Sequence, residues 1–247
     1  MIRPFFLPNQ QAENYIFVLV KPTNPLLFVP AQDNSVYVLL SKVSACYVII
    51  PILIGVIRLR HLSVAARCVF ALMIVAMVTD NISYFFRNQH FNTAYFLRIY
   101  TILEFILLSF FFIYIVNLKS LKVGMKVMIV LFTAVAIFDA LFQGIMSMDS
   151  ISIAVESIVF ILYSIIAFFL LMKDTTYLNI LSASRFWMIT AIILYFSGNL
   201  FLFVFSNHLL LHTPDSFNKL WAINSVLSIL FYSLIAIGFW KVKAQSQ

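Results

Sequence analysis

The feature that most constrains this chain is a series of apolar stretches, each about 20 residues long. A helix rises about 1.5 Å per residue, so about 20 apolar residues cross a bilayer core about 30 Å thick. Of the 247 residues, 63% are hydrophobic and 10% are charged, whereas a soluble domain usually carries about 25% charged residues. The short alternating strands that a transmembrane barrel requires are missing from the sequence. The sequence therefore predicts an all-α membrane protein.

The apolar stretches predict a bundle of seven transmembrane helices. We expect the spans at residues 36–59, 64–86, 94–116, 125–143, 151–172, 185–206 and 219–240. Residues 36–240 then form one transmembrane domain, followed by a tail at residues 241–247. Trp187, Trp221 and Trp240 fall at span ends, as aromatic residues at a membrane interface do.

The basic residues are divided unequally between the two sides of this bundle. One side carries Arg58, Arg60, Arg67, Lys119, Lys122, Lys126, Lys173, Arg185, Lys241 and Lys243, and the other carries Arg3, Lys21, Arg87 and Lys219. Cytoplasmic connections are enriched in Lys and Arg. We therefore expect the N-terminus outside, the C-terminus in the cytoplasm, and the bacterial inner membrane as the location. Basic residues in the cytoplasmic connections account for the net charge of +7. This charge therefore does not indicate nucleic-acid binding.

Residues 1–35 read differently from the rest of the chain, because they hold five of its seven prolines. Their apolar run is too short and too broken to span a membrane. Two interpretations stay open for this extracytoplasmic segment. It is a lid on the outer surface, or an upstream extension from a misassigned start codon.

Besides the basic residues near span ends that are assigned to the connections, six charged residues lie within the predicted spans. Four are acidic (Asp80, Glu104, Asp139 and Glu156) and two are basic (Lys42 and Arg98). A charge within the bilayer is costly, so such residues usually face a cavity or a partner. At about 1.5 Å per residue, all six fall in the outer half of the bundle. The alternative is that they form interhelical hydrogen bonds that hold the bundle together.

Polar residues recur at helical spacing along the same spans. Residues three or four apart share a helix face, as Tyr100 and Glu104 do, and as Asn224 and Ser228 do. Turning such faces inward encloses a polar cavity that opens to the outside. The predicted ligand-binding residues are Asp80, Arg98, Tyr100, Glu104, Asp139, Glu156, Asn199, Asn224 and Ser228.

The balance of charges suggests what occupies this cavity. Four acids and two bases leave an excess of two negative charges if all are ionised, and a low dielectric opposes that excess. Either some carboxylates stay protonated or a cation is bound. We therefore expect a receptor-like sensor of a small polar or cationic ligand, or of protons. It would signal through a separate cytoplasmic or membrane partner and contact membrane lipids. The alternative is a proton- or cation-coupled transporter of small solutes.

A zinc-dependent intramembrane hydrolase is a third prediction. His208 and His212 are four residues apart near the outer end of the sixth span, and His90 lies in an outer connection. Three histidines and a carboxylate on one side can bind zinc and activate water. The arrangement resembles the seven-helix hydrolases of the alkaline ceramidase and progestin-receptor-like superfamily. It departs from them because their pattern of histidines in set helices is not reproduced.

Other activities find little support in the sequence. LWAINSVLSILFYSLIAIGFW, at residues 220–240 of the last span, has no lysine to form a retinal Schiff base, and no P-loop, dinucleotide fingerprint or hydrolase motif is present. We therefore predict no cofactor, and we favour a protein that is not an enzyme. YTILEF at residues 100–105 and RFWMITAIILYFSGNLFLF at residues 185–203 resemble a group of uncharacterised bacterial seven-helix membrane proteins. This resemblance implies the architecture and brings no activity.

Overall fold

The structure is a computed structural model, and it describes residues 35–88, 94–142, 150–173, 180–212 and 214–242. Over these ranges the chain forms helices and contains no strand. The helices are α1 (Ser35–Tyr47), α2 (Ile49–Ile57), α3 (Val64–Asn88), α4 (Ala94–Ile115), α5 (Lys119–Phe142), α6 (Ser150–Lys173), α7 (Ser184–His212) and α8 (Pro214–Trp240). Short 3-10 turns lie at Leu59–His61 and Ile180–Ser182. Residues 1–34 and 243–247, to which the predicted N-terminal segment and most of the tail belong, lie outside the description.

Six of the helices, α3 to α8, are long and apolar enough to cross a membrane. They correspond to the second to seventh predicted spans, and this confirms a multi-pass helical protein of membrane type. The bounds differ most in α5, which begins at Lys119, and in α7, which continues to His212. Both extensions contain polar residues, which a hydropathy pattern alone leaves out.

The first predicted span is divided into α1 and α2 at Val48. Pro51 explains the break, because proline has no N–H to donate to the carbonyl of the residue four positions earlier. The next bond, from Ile52 N–H to the Val48 carbonyl, is long at 3.5 Å. Val48 keeps right-handed helical dihedral angles, with φ −58° and ψ −22°. The apolar part of this region, Val43–Ile57, is shorter than the six long spans.

Contacts between helices close a ring around the centre of the bundle. Following the ring, α3 packs on α4, α4 on α6, α6 on α7, and α7 on α8, and α8 packs on both α1 and α2. The contact of α2 with α3 completes the circuit. Two hydrogen bonds strengthen the α8 side. Ser184 Oγ donates to the Gly238 carbonyl at 2.7 Å, and Ser233 Oγ lies 3.3 Å from Tyr47 Oη.

Helix α5 lies outside this ring, against α4 and α6. Only 11% of its apolar membrane-spanning segment is buried, whereas the corresponding segments of the other five long helices are 39% to 50% buried. Among its described side chains the buried residues are Met125 and Phe132, which are seven positions apart and therefore share one face. Most of its remaining apolar side chains face the surroundings of the bundle.

Buried side chains change character along the ring helices. We call the end where α3 ends and α4 begins the outer end, because it is predicted to face outward. In α4, buried Thr101 and Glu104 give way toward the inner end to buried Phe111 and Phe112. The same change occurs in α6, from Glu156 to Phe160, and in α8, from Asn224 to Phe239. In these three helices, buried carboxylate and amide groups therefore lie toward the outer end, and buried aromatic rings lie toward the inner end.

Aromatic and basic side chains meet at the inner end. The Arg58 guanidinium lies 5.1 Å from the Trp240 ring centroid, and Lys241 Nζ lies 6.0 Å from that of Trp187. Trp187 Nε1 also donates to the Leu181 carbonyl at 2.9 Å. Amphipathic aromatic rings beside cations are typical of a membrane–water interface. This arrangement agrees with the prediction that Trp187 and Trp240 lie at the ends of membrane spans.

Candidate functional site

Glu104 lies inside the ring, with 4% of its surface exposed. Arg98 and Thr101, which precede it by about two turns and one turn of α4, are buried as well. The three residues are spaced three apart, so Thr101 is a neighbour of both Arg98 and Glu104 on the helix surface. Each makes at least one polar or electrostatic interaction. The carboxylate singled out from the sequence is therefore an interior group with polar neighbours.

Five side chains from four helices form what we call the outer polar cluster: Asp80 of α3, Tyr100 and Glu104 of α4, Tyr195 of α7 and Tyr232 of α8. The hydroxyl of Tyr100 interacts electrostatically with the other four members. The hydroxyl of Tyr232 interacts with Tyr195, Asp80 and Glu104. The α4 backbone packs closely on α3, α5 and α6, and these electrostatic interactions link its polar side chains to α7 and α8 as well.

Aromatic rings lie next to these polar groups along the helices, since Phe105 follows Glu104 and Phe196 follows Tyr195. The Phe105 ring lies 5.1 Å from that of Phe160, which in turn lies 4.9 Å from that of Phe196. We call these three residues, which belong to α4, α6 and α7, the aromatic layer. Their side chains are 0%, 0% and 3% exposed. The aromatic layer therefore crosses the interior of the bundle near the depth of Glu104 and Tyr195.

The aromatic layer also sets the depth of Glu156 and Asn199. Glu156 precedes Phe160 by four residues in α6, and Asn199 follows Phe196 by three in α7. At 1.5 Å per residue these offsets place both residues about 5 Å outward of the layer, near the level of Glu104. Glu156 is fully buried and Asn199 is 8% exposed. A second acid therefore enters the same level of the ring from α6.

Helix α8 contributes amide and hydroxyl groups to the outer half. Asn224 and Ser225 are buried. Ser228 is half-buried, and its hydroxyl donates to the Asn224 carbonyl at 3.0 Å within the same helix. One turn further inward, the Tyr195 ring packs against that of Phe231 at 4.7 Å. This contact joins α7 to α8 at the level of Tyr232.

The hydroxyl groups of serine and threonine residues inside the helices differ in whether they have a hydrogen-bond partner. Within a helix a hydroxyl usually bonds the carbonyl four residues earlier, as Ser157 does to Ile153 and Thr190 does to Phe186, both at 2.8 Å. A second set of buried hydroxyls has no hydrogen-bond partner among the described residues: Ser83, Ser109, Ser152 and Ser164. Ser83 follows Asp80 by three residues and Ser152 precedes Glu156 by four, so both lie on acid-bearing faces in the outer half.

The structure does not bring every predicted residue into view. Asp139 and Lys42 lie in α5 and α1, but their side chains are outside the description. Ser197, which the polar pattern of the sixth span pairs with Thr190, is exposed. Only the other pair in that span, Tyr195 and Asn199, faces the ring. The alternation of two polar pairs along α7 explains the difference, since only one helix face can point inward.

The predicted zinc site is not tested by the described side chains. His90 lies outside the described ranges. His208 and His212 belong to helix α7, so their backbone spacing is helical, but their side chains are not described. Among the residues that are described in full, no three His, Cys, Asp or Glu side chains could hold a metal ion together.

Tyr195, Tyr232, Thr101 and Ser225 are interior groups that the predicted ligand-binding set leaves out. The signal for two of them is present in the sequence, because Tyr195 pairs with Asn199 and Tyr232 continues the stripe of Asn224 and Ser228. Thr101 and Ser225 are small residues next to predicted ones, and their inward direction depends on helix rotation. Composition does not reveal that rotation.

Comparisons with known proteins do not assign the chain to a family. Neither protein-family models, nor curated proteins, nor solved structures match it. The residues inside the ring are therefore the indication of function that this chain offers.

Proposed function

We propose that this protein is a seven-helix, receptor-like membrane sensor that binds a small polar or cationic ligand, or protons, in its outer half. The observation that supports this proposal most directly is the burial of Glu104 within the outer polar cluster. Intramembrane carboxylates are costly and usually serve a ligand, an ion or a proton. Here Glu104 shares its electrostatic environment with polar groups of three other helices.

The division of the interior supports binding at one side rather than passage through the protein. The aromatic layer lies beneath Glu104, and buried residues further inward include Phe112, Met188 and Phe239. A ligand that enters from the outer end meets polar groups first and an apolar floor next. With no output domain in the short connections between the helices, a signal would pass to a separate partner. The exposed face of α5 offers such a partner a surface within the membrane.

The proposal predicts a ligand that depends on the outer polar cluster. We would purify the full chain in a mild detergent and measure its mass under native conditions, before and after delipidation. An organic molecule that survives delipidation in the wild type and is lost in Glu104→Gln is the expected result. Asn81→Ala is the matched control, because Asn81 is exposed, adjoins Asp80 and bonds the Met77 carbonyl of its own helix at 2.7 Å. A species lost equally in Asn81→Ala is not held by the cluster.

Two other outcomes of these measurements would speak against the proposed sensor. A bound zinc ion that depends on His90, His208 and His212 would support the hydrolase prediction instead. A chain that stays empty, and whose stability does not respond to pH or to any small polar or cationic solute, would contradict a sensor of this kind.

A proton- or cation-coupled transporter is the second candidate, and two inner-half residues favour it. Ser109 and Ser164 are fully buried, and neither hydroxyl has a hydrogen-bond partner among the described residues. Polar groups of this kind are what a path beyond the aromatic layer would require. Exchange flux in proteoliposomes that is abolished by Glu104→Gln and reduced by Ser109→Ala would establish transport. Wild-type vesicles that release no solute or protons would exclude it.

A further inference from the structure

The inner end of the bundle carries a surplus of positive charge that the candidate site does not use. In the sequence, ten Lys and Arg residues fall on this side of the spans, together with one acid, Asp174. The acids that the structure describes in full are Asp80, Glu104 and Glu156, and all three lie toward the outer end. Within the described part of the chain, therefore, no acid stands beside the bases of the inner end.

Three apolar segments meet the inner end at the same level. The segment of α1 and α2 ends at Ile57, that of α7 begins at Ser184, and that of α8 ends at Trp240. The residues that directly follow these three are the bases Arg58, Arg185 and Lys241. Because these charges begin where the apolar segments stop, they lie at the depth of lipid headgroups.

Two of these bases contact tryptophan rings, in an arrangement that we call the inner junction: Arg58, Trp187, Trp240 and Lys241. The Arg58 guanidinium lies 5.1 Å from the Trp240 ring centroid, and Lys241 Nζ lies 6.0 Å from that of Trp187. Lys241 follows Trp240 directly, so these contacts form one continuous surface over the ends of α2, α8 and α7. Neither base has an ion pair with a described acid, and its N–H donors remain available to an anion.

The backbone that carries the inner junction is closely packed. Ser184 Oγ donates to the Gly238 carbonyl at 2.7 Å, which holds the beginning of α7 against the end of α8. Phe239 is fully buried, and the N–H of Lys241 donates to the Ile237 carbonyl at 2.9 Å. The tryptophan and the lysine that follow Phe239 therefore extend from a well-fixed helix end.

Exposed apolar side chains border the bases of the inner junction. Ile57 is 72% exposed, Leu59 43% and Trp240 59%. Because Ile57 and Trp240 end apolar membrane segments, lipid covers the surface beside them. A phospholipid satisfies both parts of this surface, since its acyl chains cover the apolar side chains while its phosphate reaches the bases. A water-soluble anion satisfies only the second part.

The charge at this end selects among phospholipids. A zwitterionic headgroup carries a cation beside its phosphate, and the surplus of bases repels that cation. An anionic headgroup is attracted instead. We propose that the inner junction binds an anionic phospholipid, with Arg58 and Lys241 at the phosphate and the rings of Trp187 and Trp240 beside the glycerol and the upper acyl chains. This site is independent of the outer polar cluster, because it lies at the opposite end of the bundle.

The test compares two lipids that differ in headgroup charge and share their acyl chains. The full chain would be purified in a mild uncharged detergent, delipidated, and mixed with dioleoylphosphatidylglycerol or dioleoylphosphatidylcholine at equal concentration. Native mass spectrometry would measure the bound lipid, and the rise in unfolding temperature would report binding to the folded state. We expect phosphatidylglycerol to bind about tenfold more tightly than phosphatidylcholine.

Variants then place the site at the inner junction. Arg58→Gln and Lys241→Gln should each lower the preference for phosphatidylglycerol about fivefold, and Arg58→Lys should retain more of it than Arg58→Gln. Lys126→Gln is the matched control, because Lys126 is an exposed base at the same end but belongs to α5, which packs on α4 and α6. Each Gln variant removes one positive charge, so the net charge is the same in all three. Unfolding temperatures without lipid would show that the variants fold.

Three results would overturn the proposal. Equal binding of the two lipids would exclude a site for an anionic headgroup. An equal loss of preference in Lys126→Gln and Arg58→Gln would show a general attraction to the basic end and no site at the inner junction. Displacement of the bound lipid by inorganic phosphate at constant ionic strength would show a site for free phosphate instead of a phospholipid.

Discussion

The rings of Phe105 on α4 and Phe132 on α5 stack at 3.9 Å with an angle of 10° between their planes. This contact attaches the one long helix that lies outside the ring. Phe132 is 2% exposed although most of α5 is not buried. Because Phe105 also belongs to the aromatic layer, the same contact couples the position of α5 to the floor of the candidate site.

Removal of the Phe132 ring should therefore loosen α5. Phe132→Ala should lower the free energy of unfolding by roughly 1–3 kcal/mol, less than the about 3–5 kcal/mol for a buried phenylalanine in a soluble core, because lipid chains can replace part of the contact. Phe138→Ala in the same helix is the control, since Phe138 is 60% exposed. Denaturant titration in micelles would measure both. Equal losses in the two variants would show that Phe132 does not attach α5.

Two glycines offer a second test of helix packing. A Cβ atom added to Gly55 would lie 2.6 Å from Phe70 Cε2 and 3.5 Å from Phe239 Cδ2, whereas one added to Gly124 would meet nothing within 4 Å. Phe70 and Phe239 are themselves buried and packed edge to face at 6.1 Å, so neither ring can move freely.

Gly55→Ala should thus destabilise the contact of α2 with α3 and α8 by about 1–3 kcal/mol. Gly124→Ala should be neutral or stabilising by up to about 1 kcal/mol, because alanine favours the helix. Thermal unfolding of the two variants in one detergent would compare them directly. A Gly55→Ala protein as stable as Gly124→Ala would mean that α2 does not pack closely against Phe70.

The hydrogen bond from Ser184 to Gly238 joins the beginning of α7 to the end of α8 at the inner end. Ser184→Ala should cost about 1 kcal/mol, the usual net value of such a bond. Ser157→Ala is the matched control, because its hydroxyl bonds only the Ile153 carbonyl of its own helix. Hydrogen exchange at residues 236–242 should rise in Ser184→Ala and stay unchanged in Ser157→Ala. If hydrogen exchange is unchanged in both variants, the bond from Ser184 to Gly238 does not stabilise the contact between α7 and α8.

Helix positions in this chain are predictable from sequence, and helix neighbours are not. The cost of an unsatisfied backbone in lipid forces each apolar stretch into a helix, which is why the second span, predicted at residues 64–86, lies close to the observed Val64–Asn88. The first span, predicted as one helix over residues 36–59, is instead divided at Val48 in the structure. The position of α5 outside the ring has no such signal, because lipid and protein interior are equally apolar and hydropathy does not separate them.

The candidate site shows the same limit. Glu104 stands out in the sequence because a carboxylate within an apolar run is costly, and its burial agrees with that signal. Tyr195 and Tyr232 do not stand out in the same way, since tyrosine is common in membrane helices and at their interfaces. Their meeting with Tyr100 depends on the rotation and order of α4, α7 and α8, which a single sequence does not define.

The charge balance of the outer half leads to the last prediction, which concerns Arg98. Arg98 is the base among the buried charged side chains that the structure describes, and it accompanies the acids Glu104 and Glu156. Arg98→Gln would raise the excess of negative charge by one. An uncompensated charge left in a buried site typically costs about 3–5 kcal/mol, so we expect a marked fall in unfolding temperature. The double variant Arg98→Gln/Glu104→Gln restores the original excess and should recover much of the lost stability. Arg185→Gln, at the inner end and only half-buried, should have a small effect. If Arg98→Gln is no less stable than Arg185→Gln, or if adding Glu104→Gln lowers the stability further, Arg98 does not offset the charge of these acids.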